Sequence, residues 1–455
     1  MWGSAFDKNS ADHLTVMLGP LLMDRFLAGY GAIYSDVSGT IPGFENLPPD
    51  DRWIHIVYLT CRASLILGDL SISLNPFLYY LPNTGRVGWA IPGPLAGTGL
   101  ISQFGTTAFS QINWYKELGR WKVSAYDQFS PFAVGGSLFN VFGGASAGWG
   151  DLSPIDRVGR YAVGYGTGDV TNYGSRSSYG GPQTPHSGVA GIYNIAGVRA
   201  FRNIGDRTMA MFYLDRFDLW DSEFNHTRAS LLGGAYLKNG DQFFSSYVGY
   251  NFMTAAPWTS AFNWAVAGVK KRLTQSLLTY AEAGYYWQSG DENAKVGKGW
   301  TALAGIQQQL GLYTNHRVEA GRRVYLPVRS SPGVENFVQY GISHRLRQRN
   351  VLSANVGITE RHVISSVEND SVLKYAAVSL TTFITPRLSA ITLAGWEHVE
   401  FEQSQFIQDS WQCRLSLLYA LTRDIQAQAI YQYQDVHGTN HYSEHYIYLG
   451  ASKSF

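Results

Sequence analysis

Ile425-Gln-Ala-Gln-Ala-Ile-Tyr-Gln-Tyr-Gln434, followed after a polar turn by His445-Tyr-Ile-Tyr-Leu-Gly-Ala-Ser-Lys-Ser-Phe455, decides the fold of this chain. In the first stretch Ile425, Ala427, Ala429, Tyr431 and Tyr433 alternate with Gln426, Gln428, Gln432 and Gln434. In the second, His445, Ile447, Leu449, Ala451 and Phe455 take one face, and Glu444, Tyr446, Tyr448, Gly450, Ser452 and Ser454 take the other. Successive side chains of a strand point to opposite faces, so this period of two predicts strands with one apolar and one polar side. Length separates them from the strands of soluble proteins. Each stretch runs for ten residues or more, where soluble strands average ~5–6 and a tilted membrane-spanning strand needs ~9–11.

The same pattern recurs upstream. Leu352, Ala354, Val356 and Ile358 oppose Ser353, Asn355, Gly357, Thr359 and Arg361; Leu277, Ala281, Ala283, Tyr285 and Trp287 oppose Ser276, Tyr280, Glu282, Gly284 and Gln288. Between such segments the connections alternate in length. Short ones fall at 67–69, 118–120, 204–206, 239–241, 273–275, 347–350, 385–387 and 422–424, built from the Gly, Asn, Asp and Pro that tight hairpins require. Longer ones fall at 82–106, 133–186, 218–226, 289–298, 366–371 and 400–407. Short turns at one end and long loops at the other predict a single closed antiparallel transmembrane β-barrel, with the turns periplasmic and the loops extracellular. The expected strand number is even and about 20, within 18–22, the region His13–Tyr34 supplying one or two of them.

Composition agrees. Charged residues are 15% of the 455, below the ~25% of ordinary soluble domains, while aromatics reach 14% and glycines number 49. No run approaches the ~18 apolar residues of a spanning helix. Strands with one apolar and one polar face reconcile these numbers. Nothing divides residues 1–455 into domains, and a propeller is disfavoured because no blade-length repeat is visible. A net charge of +1 gives no reason to expect nucleic acid. Cys61 and Cys413 share no C-x-x-C spacing and fall on apolar faces, which predicts small lipid-facing residues. Met1–Leu14 lacks the basic start and apolar core of a signal peptide, so any such signal has been removed or replaced.

The closing hairpin, Tyr431-Gln-Tyr-Gln-Asp435 and Tyr446-Ile-Tyr-Leu-Gly-Ala-Ser-Lys-Ser-Phe455, resembles that of Gram-negative outer-membrane β-barrels, which end on an aromatic residue preceded by alternating apolar ones. More narrowly it is similar to β-barrel porins, including ones found near exopolysaccharide-export systems. The match covers about 30 residues; the remainder agrees in texture. The resemblance implies an outer-membrane location and a terminal strand read by the barrel-assembly machinery, with Tyr446, Tyr448, Leu449 and Phe455 as the signal. Outer-membrane lipid is the other expected partner, and homo-oligomerisation is left open.

No grouping points to catalysis, a metal or a cofactor. His441-Tyr442-Ser443 has a His-x-Ser spacing but no evident Asn partner. Asp435-Val436-His437 lacks a second acidic pair, and His186-Ser187 reads as loop. There is no phosphate cradle, Cys/His metal spacing or haem-attachment motif. What the alternation does offer is a polar face. A charge facing lipid at mid-membrane costs ~2–4 kcal/mol, so the charged residues of polar faces are expected to line the lumen. These are Lys122, Arg228, Glu282, Arg317, Glu319, Arg323, Glu335, Arg345, Arg361 and Arg414. Arg322 breaks the alternation, and a nearby interface or bulge is expected.

Their mixed signs suit water and small polar solutes with weak ion selectivity. A passive porin is the leading expectation. The alternative is the barrel of a polysaccharide- or protein-export system, for which inward Tyr280, Tyr286, Tyr446 and Tyr448 offer an aromatic track. An outer-membrane enzyme ranks lower. The Gly-rich segment 133–187, with Leu138, Phe139, Val141, Phe142 and Trp149 close together, is expected to dock in the lumen and narrow it, or to latch a neighbouring copy.

Overall fold

The computed structural model describes residues 22–40, 53–80, 104–134, 189–220, 226–241, 243–255, 260–290, 297–325, 333–347, 350–363, 370–401, 406–438 and 441–454. The segment 135–187 and Phe455, about which the sequence raises expectations, lie outside these. The described residues form β1 (Leu22–Thr40), β2 (Trp53–Leu67), β3 (Leu70–Tyr80), β4 (Phe104–Leu118) and β5 (Trp121–Val134). Next come β6 (Val189–Asn203), β7 (Thr208–Trp220), β8 (His226–Gly240), β9 (Phe244–Ala255) and β10 (Ser260–Arg272). They are followed by β11 (Leu277–Gly290), β12 (Lys298–Leu310), β13 (Thr314–Tyr325), β14 (Gly333–Arg347) and β15 (Asn350–Val363). The last are β16 (Ser371–Phe383), β17 (Leu388–Phe401), β18 (Phe406–Ala420), β19 (Ile425–Gly438) and β20 (His441–Ser454).

Every strand pairs antiparallel with its neighbours in sequence, in one 20-stranded sheet. The ring closes between β1 and β20, where Leu27–Thr40 runs against His441–Ser454 from Leu27↔Ser454 to Thr40↔His441. With no edge left, every strand's N–H and C=O groups can pair within the sheet, which is what a span through hydrocarbon requires. A ring of this size exceeds the ~16–18 strands that already enclose an aqueous channel.

The tight turns explain themselves chemically. Thr385 Oγ1 accepts the N–H groups of Arg387 and Leu388 (3.2 and 3.0 Å), and Thr422 Oγ1 those of Asp424 and Ile425 (3.3 and 3.0 Å). Asp241 Oδ1 does the same for Phe243 and Phe244 (2.8 and 3.0 Å). Each side-chain oxygen caps backbone donors that a reversing chain would otherwise leave without a partner. One tight turn escapes sequence reading. Gly311-Leu312-Tyr313 joins β12 to β13, with Gly311 at φ 65°, a left-handed conformation that glycine adopts without a Cβ penalty.

The two faces differ in character, with exceptions such as the outward Asp127 and Arg216. Val198, Leu214, Val248, Val318, Val338, Val356 and Leu449 stand exposed on one side, and Tyr126, Tyr236, Glu319, Glu335 and Gln432 are buried on the other. Aromatic groups mark both ends of the exposed face. Tyr285 and Trp300 meet edge-on at 4.9 Å and Trp396 lies 6.2 Å from Trp411 away from the turns; Trp121 lies 5.9 Å from Phe212 near them. An exposed apolar band between aromatic girdles, on a closed barrel with tight turns at one end, is a surface built for lipid. The protein is an outer-membrane β-barrel.

Inside, the many tyrosines and glycines turn out to be one device. Tyr126 pairs across the sheet with Gly197, Tyr213 with Gly234, Tyr236 with Gly249, Tyr247 with Gly268, Tyr280 with Gly305 and Tyr375 with Gly357. In each case the ring lies so close over the glycine that a Cβ there would collide with it. The glycine makes room, and the ring covers backbone that a glycine leaves bare, a pairing that also pins strand register.

Candidate functional site

The inner wall is the candidate site, and its charged groups are held in pairs. On β13, Arg317 and Glu319 are neighbours on the inward face, 7% and 0% exposed. Arg317 Nη2 donates to Glu319, and Gln339 Nε2 of β14 donates to the same carboxylate at 2.7 Å. Further along, Arg323 Nε donates to Glu335 Oε1 at 2.5 Å, and its guanidinium lies 4.1 Å from the centre of the Phe337 ring. Across the barrel wall, the Tyr126 hydroxyl donates to Asp215, with the Arg199 guanidinium 5.4 Å from the centre of the Tyr126 ring. Tyr247 donates to Glu282 at 2.7 Å and Tyr213 to Asn251 at 2.7 Å. Covered charges persist only when paired and hydrogen-bonded, and these are.

Most of the residues expected to line the lumen are therefore on the inward face. Glu282, Arg317, Glu319, Arg323 and Glu335 sit in the networks just described. Arg414 is inward on β18, its Nε donating to Ser416 at 2.8 Å. Lys122 and Arg345 are exposed on the same face close to the turns, and Lys122 Nζ lies 3.3 Å from Glu117. Arg228 and Arg361 occupy inward register positions, opposite Leu219 and Glu335, but their side chains lie outside the description. Of the terminal-strand signal, Leu449 is exposed on the outward face, while Tyr446 and Tyr448 are placed only by register, opposite Gln432 and Ile430.

The wall holds charged groups that sequence reading passed over: Arg199, Asp215, Glu397, Lys238 and Lys270. Arg199, Asp215, Lys238 and Lys270 lie in phase with inward tyrosines or tryptophans, as Lys238 follows Tyr236 and Asp215 follows Tyr213, so extending the period of two through β6–β10 would have found them; Glu397 shares the buried face of β17 with Gly395 and Val399. Arg322 is the exception anticipated from its break in alternation. Its cross-strand partner is Ala302, the last pair before β12 and β13 part, and Gly321 beside it has φ 152°. From that fork Arg322 Nη2 reaches the Tyr286 hydroxyl at 3.4 Å.

Two of the rings expected to form an aromatic track are covered. Tyr280 and Tyr286 are buried, and Phe262 stacks on Tyr286 with 5.7 Å between centroids. His437 Nε2 is engaged by Asp435 at 2.9 Å and its Nδ1 by His441 at 2.9 Å, so both of its ring nitrogens are partnered. Among the described residues no three His, Cys, Asp or Glu side chains gather as metal ligands would.

No family model matches this sequence, and no curated protein matches it. Among solved structures the chain is similar to the ferric enterobactin receptor of Pseudomonas aeruginosa, with 8% identity, 94% of this chain and 80% of that chain covered, and a TM-score of 0.48. It is similar to the ferric-catecholate import receptor Fiu of E. coli K12 at 12% identity, covering 94% and 81% with a TM-score of 0.47. The third is OccAB4 of Acinetobacter baumannii, at 10% identity, 96% and 99% coverage and a TM-score of 0.41.

Proposed function

We propose that the protein is a channel for passive diffusion of small polar solutes across the outer membrane. The observation that carries this reading is the wall itself: strongly polar, yet neutralised pair by pair at Arg317–Glu319, Arg323–Glu335 and Tyr126–Asp215–Arg199. Such a wall hydrates a passing solute without trapping either sign of ion. A dedicated filter needs a ring of like charges, and the middle of the wall has none among its described residues. Toward the turns the balance shifts: Lys238, Lys270, Arg272 and Arg345 face inward there, with Lys122 matched by Glu117. The channel is therefore weakly anion-preferring, through its periplasmic mouth. Two tyrosines that a sugar track would expose are covered, Tyr280 lying over Gly305 and Tyr286 over Gly299, which weighs against the export alternative.

Single-channel recording in planar bilayers tests it. The full chain should conduct in steps that scale with bulk salt, with a reversal potential displaced modestly toward anions in a salt gradient. Removing residues 135–182 should raise the conductance. A chain that inserts and folds but does not conduct, with or without that segment, refutes the channel.

A further inference from the structure

The outward face at the turn end carries a repeated arrangement. At four of the tight turns the last lipid-facing side chain is large and apolar, and a cation follows it two or three residues later. Leu118 precedes Arg120, Ile204 precedes Arg207, Ile384 precedes Arg387 and Leu421 precedes Arg423. These four apolar groups are 46–56% exposed, as lipid-facing groups should be in the absence of lipid, and the four arginines are exposed as well. At Leu273 the cation comes first, as Lys271, whose cross-strand partner is the exposed Phe244. Arg202, two residues before Ile204, lies 5.3 Å from the ring centre of outward-facing Trp121.

Acidic groups do not balance this row. The described carboxylates of the same rim are Asp69, which Lys116 holds at 3.3 Å, and Asp206, Asp241 and Asp424. Asp241 already accepts two backbone N–H groups. At the opposite end of the outward face carboxylates prevail. Asp409, Asp435, Glu360, Asp370 and Glu400 stand there against the cations Lys298 and Lys374, most of the carboxylates beside histidines: His398 with Asp409, His437 with Asp435 and His362 with Asp370. A formal net charge of +1 for the whole chain conceals this separation.

We propose that the turn-end rim is a binding belt for anionic phospholipid headgroups of the periplasmic leaflet. The position of each cation decides the partner. An arginine two or three residues beyond the last lipid-facing side chain sits at the depth of the lipid phosphates, just outside the hydrocarbon. Its planar fork matches a phosphate bidentately, and Arg202 over Trp121 and Lys271 beside Phe244 add aromatic anchors of the kind that settle at this boundary. A periplasmic protein would approach along the barrel axis and meet the mouth, whereas these arginines stand in the turns directly beyond the lipid-facing row. The belt thus selects phosphatidylglycerol-like lipids over zwitterionic ones and fixes how deep the turns sit.

The test uses the full chain in phosphatidylcholine vesicles that contain a minor fraction of phosphatidylglycerol. Native mass spectrometry counts the lipids that stay bound on extraction. Wild type should retain phosphatidylglycerol about fivefold above its bulk ratio, the enrichment expected from ~1 kcal/mol per basic group near an anionic surface. Combining Arg120→Gln, Arg207→Gln, Arg387→Gln and Arg423→Gln should bring retention to the bulk ratio while heat-modifiable gel mobility still reports a closed barrel. If that variant does not fold, wild type in ~0.5 M salt serves instead, since screening should abolish the enrichment. Bulk-ratio retention by wild type, or full enrichment in the folded variant or in high salt, overturns the proposal. So does wild type binding soluble polyglutamate at this rim while ignoring phosphatidylglycerol, which would make it a protein-docking surface.

Discussion

Replacing Gly357 by Ala tests whether the tyrosine–glycine pairs hold the wall together. Gly357 lies on β15 opposite Tyr375 of β16. The three atoms nearest a new methyl would all belong to the Tyr375 ring: Cζ and Oη at 2.7 Å and Cε1 at 2.8 Å. Comfortable carbon contacts fall at ~3.5–4.0 Å, so the ring must move by nearly an ångström. It has little freedom to do so, being buried in a cluster with Leu373 and Val399. Overpacking of this kind costs ~1–3 kcal/mol, and the lower backbone freedom of alanine in the unfolded chain returns ~0.5–1 kcal/mol. The net expectation is a loss of about 1–2 kcal/mol, roughly tenfold in the folding equilibrium, read from urea unfolding in lipid vesicles. Tyr375→Leu removes the obstacle, so in that background Gly357→Ala should be neutral or stabilising. Gly205→Ala is the control, with nothing within 4 Å of the new methyl and an expected change within ~0.5 kcal/mol. Equal cost for Gly357→Ala with and without Tyr375 would falsify the covering role of the ring.

Three further predictions concern the pairs, the turns and the lipid face. Glu319→Ala should destabilise the barrel by ~3–5 kcal/mol, because it strands the buried Arg317 without its carboxylate, and Glu319→Gln, which also removes the charge, should cost nearly as much; a Gln variant as stable as wild type would show that charge pairing is not what Glu319 supplies. The N–H groups of Phe244 and Phe243 hold the Asp241 carboxyl below its ordinary value, so its contribution is present above the ordinary carboxylate pKa and is lost as pH falls through the lowered one. Amide exchange at Phe243 and Phe244 should accelerate on acidification below about pH 4, and Asp241→Asn should remove that pH dependence; unchanged protection of wild type in acid sinks the account. Cys413, a free thiol exposed on the outward face, should resist a charged, water-soluble maleimide in vesicles of the Cys61→Ser variant and react once the barrel is unfolded. Prompt labelling in vesicles would put that face in water.

Which face a residue takes could be read in the sequence wherever alternation is strict. Glu282, Arg317, Glu319 and Glu335 followed from counting by two, as did the outward placement of Val356 and Leu449. What each inward residue touches could not be read, because it depends on the register between strands. Tyr280 looks identical in sequence whether it projects into water or lies over Gly305, and only the pairing of β11 with β12 decides between them. Turns were legible where their chemistry is polar, as at Thr385 and Thr422. At Gly311-Leu312-Tyr313 two apolar residues occupy the turn and disguise it as strand. Arg322 marks the other limit: period two breaks where β12 and β13 separate, and a fork between strands leaves no composition signal.

The outward face of β18 brings the fold, the membrane and the charge separation together. Its outward residues run from Leu421 beside the turn through Tyr419, Leu415 and Trp411 to Asp409. Twelve positions at ~3.4 Å each, tilted by ~40°, span roughly 30 Å along the barrel axis, close to the thickness of a bilayer's hydrocarbon core. Polar groups begin at both ends of that interval. Beyond Leu421 stands Arg423, and at the far end Asp409 joins a cross-strand row with Lys374, His398 and His437, each directly opposite the next. A charge in the middle of this interval would cost ~2–4 kcal/mol, and little near its ends, so the two polar rows sit where lipid begins to tolerate them. Their opposite signs do not follow from that cost, which is blind to sign. The basic inner rim therefore requires a second cause, which the belt proposed above for anionic headgroups would supply.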